Sequence, residues 1–97
     1  MHTYTRQEYI SNKCTHHEYY SQFATDSMKN LVGQFINKLK LSDDNRVIGL
    51  DLDYWDYVAY HIPTDVVKAI RLANDGGISL SDRVCALKTT ARILLTK

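Results

Sequence analysis

The sequence predicts an all-α protein, a compact bundle of five or six short helices with room for one short extended segment near 46–50, folded as a single helical domain over residues 1–97. Three observations predict it. Apolar residues recur at helical spacing in three separate tracts, 31–39, 52–62 and 84–95. Threonine, serine or aspartate stands at the head of each helical tract, where a hydroxyl or carboxylate can accept from the first free backbone N–H groups. Only the stretch around Val47 alternates in a strand-like way, and a lone strand has no partner to pair with. Ninety-seven residues with 44% hydrophobic content suit one domain with one modest core, without metal or disulfide staples.

Two helix starts open the chain. Thr5 with Glu8, and Thr15 with Glu18, have the spacing of a capping box, and Tyr9, Ile10, Tyr19, Tyr20 and Phe23 supply the packing face behind them. The first helix has about two turns before Asn12-Lys13 lets the chain bend. Asp26 or Thr25 caps the next, whose apolar stripe is Leu31, Val32, Phe35, Ile36 and Leu39, with Gly33 weakening it. It stops before the turn-rich Ser42-Asp43-Asp44-Asn45. Leu52, Trp55, Val58, Ala59 and Ile62 form the following stripe, with Asp51 as N-cap, Asp53 in the first turn and Trp55 expected in the core. Pro63 breaks this helix and stands near the start of another, which runs through Val66, Val67, Ile70 and Ala73 to Gly76-Gly77. Ser79 or Ser81 begins the last helix. Its inward face is Val84, Leu87, Ala91, Leu94 and Leu95, leaving Arg83, Lys88 and Arg92 outward.

Composition excludes several function classes. No apolar run approaches a membrane span, and the start Met1-His2-Thr3-Tyr4 has neither a basic nor an apolar leader region, so a cytoplasmic protein without membrane contact is expected. Cys14 and Cys85 read as reduced thiols, and no disulfide is invoked. Cys14, His16 and His17 lack the paired spacing that puts two ligands on one ion, and a catalytic cysteine and histidine are seldom such close sequence neighbours. No phosphate-binding loop, nucleophile elbow or HExxH motif is present. The expectation is therefore no enzyme, with no catalytic residue, metal, cofactor or small-molecule ligand.

Charge is where the sequence speaks about partners. Between residues 43 and 65, Asp43, Asp44, Asp51, Asp53, Asp56 and Asp65 stand against Arg46 alone, although the whole chain carries only +1. Tyr54, Tyr57 and Tyr60 are interleaved with these acids, and seven tyrosines are more than so small a core can bury with their hydroxyls satisfied. Such a surface can occupy the places of phosphates in a positively charged groove of another protein, the aromatics adding contact area. The nominated partner-binding residues are Asp43, Asp44, Asp51, Asp53, Asp56, Tyr54 and Tyr57. Turn formation, capping and ordinary hydration of a helix face compete as explanations of the same acids.

The tract Thr5-Arg6-Gln7-Glu8-Tyr9, followed by Thr15-His16-His17-Glu18-Tyr19-Tyr20-Ser21-Gln22-Phe23, resembles the opening of small proteins encoded by bacteriophages and prophages. In size and make-up the chain further resembles anti-CRISPR inhibitors of type I-F CRISPR surveillance complexes. That resemblance implies a non-enzymatic inhibitor in the cytoplasm of an infected bacterium. Its partner would be the basic DNA-binding subunits of a CRISPR-guided complex, with target DNA blocked by mimicry and no nucleic acid bound directly. The alternative is a small phage DNA-binding or replication accessory protein, working through a helix-turn-helix-like pair of basic C-terminal helices.

Overall fold

The computed structural model describes residues 4–5, 14–36, 40–41, 46–48 and 54–95. These residues form a helical bundle, as the apolar periodicity predicts. The helices are α1 (His17–Tyr20, continued by a 3-10 turn Ser21–Phe23), α2 (Asp26–Ile36), α3 (Tyr54–Ala59), α4 (Thr64–Ala73) and α5 (Leu80–Leu95). The expected first helix, over residues 5–12, lies outside the described residues apart from Thr5.

A small sheet accompanies the bundle. Strands β1 (Tyr4–Thr5), β2 (Lys40–Leu41) and β3 (Arg46–Ile48) pair antiparallel in the order β1-β3-β2, with Tyr4 opposite Val47 and Leu41 opposite the same residue. The extended segment expected near 46–50 is present over Arg46–Ile48, with 49 and 50 outside the described residues, and it has partners after all. Each partner is two residues long, too short for alternation to register in the sequence.

Helix α5 stands at the centre of the bundle. Every residue from Val84 to Ala91 is buried, so this helix has no outer face along two turns. α1, α2 and α3 all lie against it. Cys85, Ala86, Thr89, Thr90 and Ala91 are small, which lets neighbouring backbones approach from several sides. Thr90 satisfies its hydroxyl locally by donating to the Ala86 carbonyl at 2.9 Å. The placement corrects the outward assignment of Lys88, which is 2% exposed. A stripe of five apolar residues suggested a helix with one wet side, but a central helix has none.

Phe23, Met28, Val32, Trp55, Val58, Val66, Ile70 and Leu87 fill the core, with Trp55 1% exposed, as its spacing predicts.

Local chemistry sets the helix ends. Thr25 is the N-cap of α2, its hydroxyl accepting the Met28 N–H at 3.3 Å. The Thr15–Glu18 box does not form: α1 begins at His17, and its N-cap His16 makes no side-chain cap bond. Pro63 precedes α4 with φ −59° and ψ 149°, and its carbonyl takes the Val66 and Val67 N–H groups. α4 ends in a Schellman arrangement, Gly76 N–H bonding to the Arg71 carbonyl at 2.6 Å, with Asp75 at φ 53° as the left-handed residue ahead of Gly76. Ser79 caps α5 in a reciprocal box: its hydroxyl accepts the Asp82 N–H at 3.1 Å, and Asp82 accepts the Ser79 N–H at 3.1 Å.

Candidate functional site

Two places in the bundle carry chemistry that packing alone does not require, and the first is the surface of α3. Of the seven nominated residues, Asp43, Asp44, Asp51 and Asp53 lie outside the described residues. Tyr54 is the first residue of α3. Asp56 is half-buried on the same helix, and Tyr57 is 66% exposed. Tyr60, 64% exposed in the turn that follows, extends the surface, and the Tyr57 ring lies 5.0 Å from that of the exposed His61. Both tyrosines arise from helical spacing: Trp55, Val58 and Ala59 turn into the core, which forces Tyr57 and Tyr60 to the other side.

Arg83 fixes this surface from behind. Its guanidinium donates from Nη1 to the Ala59 carbonyl at 3.2 Å and sits 5.8 Å from the Tyr60 ring centroid. Ala59 ends α3, so its carbonyl is among the acceptors a helix leaves unpaired, and a cation there also meets the negative end of the helix dipole. Arg83 is thus a brace between α5 and α3, where the sequence placed it among outward bases. Asp65, counted among the acids, is also engaged. It accepts the Ser27 hydroxyl at 2.7 Å, a bond that lowers its carboxyl from the usual range and ties the start of α4 to the start of α2.

The second place lies between the segment before α1 and the middle of α5. Cys14 and Cys85 are both buried thiols, 3% and 4% exposed, and their side chains hydrogen-bond to each other. The bond from Cys85 is the main reason the Cys14 thiol is brought down to about 7, against the opposing effect of burial, with help from the His16 backbone, Thr89 and the charge of Lys88. Cys85 is pushed far up by the same contact and by burial, so it keeps its proton while Cys14 is a thiolate.

Next to the pair, His17 Nδ1 lies 2.9 Å from the Thr89 hydroxyl, and its Nε2 is buried with no hydrogen-bond partner among the described residues. Burial, then the charges of Arg92 and Lys88, lower the His17 pKa and favour the neutral ring. A surface depression of about 280 Å³, lined by His17, Thr89 and Arg92 among others, opens beside them.

Sequence reading treated Cys14, His17 and Cys85 one at a time and missed their meeting. No local spacing signals it, since the segment before α1 and the middle of α5 come together only when the bundle closes. The buried Lys88 and the braced Arg83 also alter the basic C-terminal face expected from the sequence, leaving Arg92 as the exposed base among the three named on α5, with Lys68 and Arg71 exposed on α4. Among the described residues no three His, Cys, Asp or Glu side chains gather as metal ligands, and no helix is long and apolar enough to cross a membrane. Comparison with protein-family models, with curated proteins and with solved structures gives no match.

Proposed function

We propose that this chain is a non-enzymatic inhibitor that docks on a basic, nucleic-acid-binding surface of a partner, its carboxylates between residues 43 and 56 taking the places of phosphates. The observation that carries the reading is the exposure of Tyr57 on a helix whose other side is in the core, and of Tyr60 in the turn that follows it. Burial of Trp55 and Val58 accounts for the helix, and it leaves two large aromatic side chains in water beside Asp56. Tyrosines of this kind supply contact area at low conformational cost, and Arg83 holds one of them in place before any partner arrives. The excess of carboxylates from Asp43 to Asp65 gives the partner its sign. In this proposal the partner is a type I-F CRISPR-guided surveillance complex of an infected bacterium, the class implied by the chain's resemblance in size and make-up to anti-CRISPR inhibitors. Engagement of Arg83 and burial of Lys88 within the bundle support this reading over DNA binding by α4 and α5.

Competition between the protein and target DNA for the purified surveillance complex tests the proposal. The protein is expected to displace DNA, to lose affinity as salt rises and to bind no DNA itself. Tyr57→Ala should weaken competition by about tenfold or more, the loss of a contact residue, while thermal stability stays within about 0.5 kcal/mol. Asp51→Lys with Asp53→Lys should abolish it. A direct mobility shift of DNA that survives both changes and disappears with Arg92→Glu would replace the inhibitor by a DNA-binding protein.

A further inference from the structure

We propose that the groove between α1 and the C-terminal half of α5 is a binding site for inorganic phosphate, held by Arg92 and His17 and told from sulfate by Glu18. Two depressions of about 410 and 280 Å³ open along this groove, and His17, Glu18 and Arg92 stand in the wall of both. Thr15 and His16 also line the larger one, Ser21 and Thr89 the smaller. None of these residues belongs to the surface built on Tyr57 and Tyr60, so the site is independent of the inhibitor reading.

The groups in that wall call for an anion. Arg92 is exposed, and its guanidinium makes no hydrogen bond or ion pair with a described residue. The His17 ring is set by its Nδ1, 2.9 Å from the Thr89 hydroxyl, which leaves Nε2 buried with no hydrogen-bond partner among the described residues. An orphaned nitrogen of this kind costs stability that a ligand oxygen restores. Whichever way Thr89 shares its proton, an anion at Nε2 favours the ring form that carries a proton there, and it offsets the charges of Arg92 and Lys88 that oppose protonation of the ring. Because Nε2 is covered, the anion must displace side-chain atoms to reach it. Arg92 and Glu18, both exposed and with side chains bonded to no described residue, are the long chains of that wall that can swing aside, after which the guanidinium fork takes two oxygens of a tetrahedral anion. Glu18 decides which anion. A carboxylate in the same wall repels a fully deprotonated oxyanion but accepts a hydrogen bond from one that keeps a proton. Near neutral pH inorganic phosphate keeps a P–OH group, whereas sulfate and phosphodiesters have none and a phosphate monoester has mostly lost its last one above about pH 6. Nucleic acid is therefore not the ligand.

Titration of the folded chain with inorganic phosphate at about pH 7.5 and constant ionic strength, followed by the His17 ring signals in NMR and by calorimetry, tests the inference. Phosphate should move the His17 signals saturably, with sulfate and glycerol phosphate binding about tenfold more weakly or worse. Arg92→Gln should weaken phosphate binding by about tenfold. Glu18→Gln, whose amide donates where the carboxylate only accepts, should erase the preference over sulfate. Both residues are exposed, so both variants are expected to keep the wild-type circular dichroism spectrum, and Tyr57→Ala should leave phosphate binding unchanged. His17 signals that stay still in about 10 mM phosphate, sulfate or glycerol phosphate bound as tightly as phosphate, or an unaltered affinity in Arg92→Gln would each overturn the proposal.

Discussion

Asp82 does more than any other single residue among those described to join the turns of the bundle. Its carboxylate accepts the Tyr20 hydroxyl at 2.7 Å, the Asn74 amide at 3.2 Å, and both the N–H and hydroxyl of Ser79. Tyr19 donates in turn to Asn74 at 2.8 Å, so α1, the end of α4 and the start of α5 meet in one polar network. Burial alone raises the Asp82 carboxyl, but the hydrogen bonds from Tyr20, Ser79 and Asn74 outweigh it and leave the group below its ordinary 3.8. Tyr20 moves up, through burial and then through its bond to Asp82. A carboxyl lowered by folding contributes stability that is whole above pH 3.8 and is lost as pH falls through the folded value. His17, lowered by burial from 6.5, adds stability that is whole above that pH and fades below it. Below the range in which Cys14 titrates, acid should therefore erode the fold in two stages, the His17 stage first, with His17→Gln removing it and Asp82→Asn reducing the second, which Asp65 shares; urea midpoints across pH 3 to 6.5 check both. At neutral pH Asp82→Ala should cost about 1 to 3 kcal/mol by leaving the buried Tyr20 hydroxyl without its acceptor. A cycle with Tyr20→Phe should show coupling of about 1 kcal/mol, and additive losses would mean that the bond contributes nothing.

At the scale of the element, α5 is where sequence and structure part company. Its inward residues Val84, Leu87 and Ala91 were legible because they fall on one helical stripe, and all three are buried. What the stripe hid is that Ala86 and Thr90, on the supposed wet side, are buried just as fully, because other helices close over them. The signal was there in side-chain size: a solvent face seldom consists of cysteine, alanine and threonine beside one lysine. The difference can be measured. On an outward face Ala86→Leu would be neutral, whereas in a packed centre it should cost about 1 to 3 kcal/mol through overcrowding. α3 gives the complementary case. Trp55 at 1% exposure anchors a helix of only six residues, too short to hold itself in water, so Trp55→Ala should cost about 3 to 5 kcal/mol. Loss of below 1 kcal/mol in either variant would contradict the packing described for that helix.

For the whole molecule, the fold class was legible and the assembly of its sites was not. Periodicity fixes which face of a helix is apolar, which is why Trp55, Val58, Val66, Ile70 and Leu87 could be placed inside from spacing alone. It says nothing about which helix becomes the centre, and so the brace made by Arg83 and the meeting of Cys14 with Cys85 had no local signature. The exposed tyrosines were foreseen from their number, against the limited core of a small chain. The two-residue strands were beyond any pattern, since alternation needs more residues than they contain. A central α5 that touches α1, α2 and α3 leaves no helix pair able to keep its own apolar face dry, so the bundle should fold and unfold as one cooperative unit. Trp55 on α3 reports the core, and far-UV circular dichroism reports the helices as a whole. Their urea transitions should coincide in midpoint and slope, with a helix-dominated spectrum that keeps its native shape until the tryptophan becomes exposed. Separate transitions, with helix persisting after Trp55 is hydrated, would mean that α3 docks on an independently stable remainder and that no single core holds the chain together.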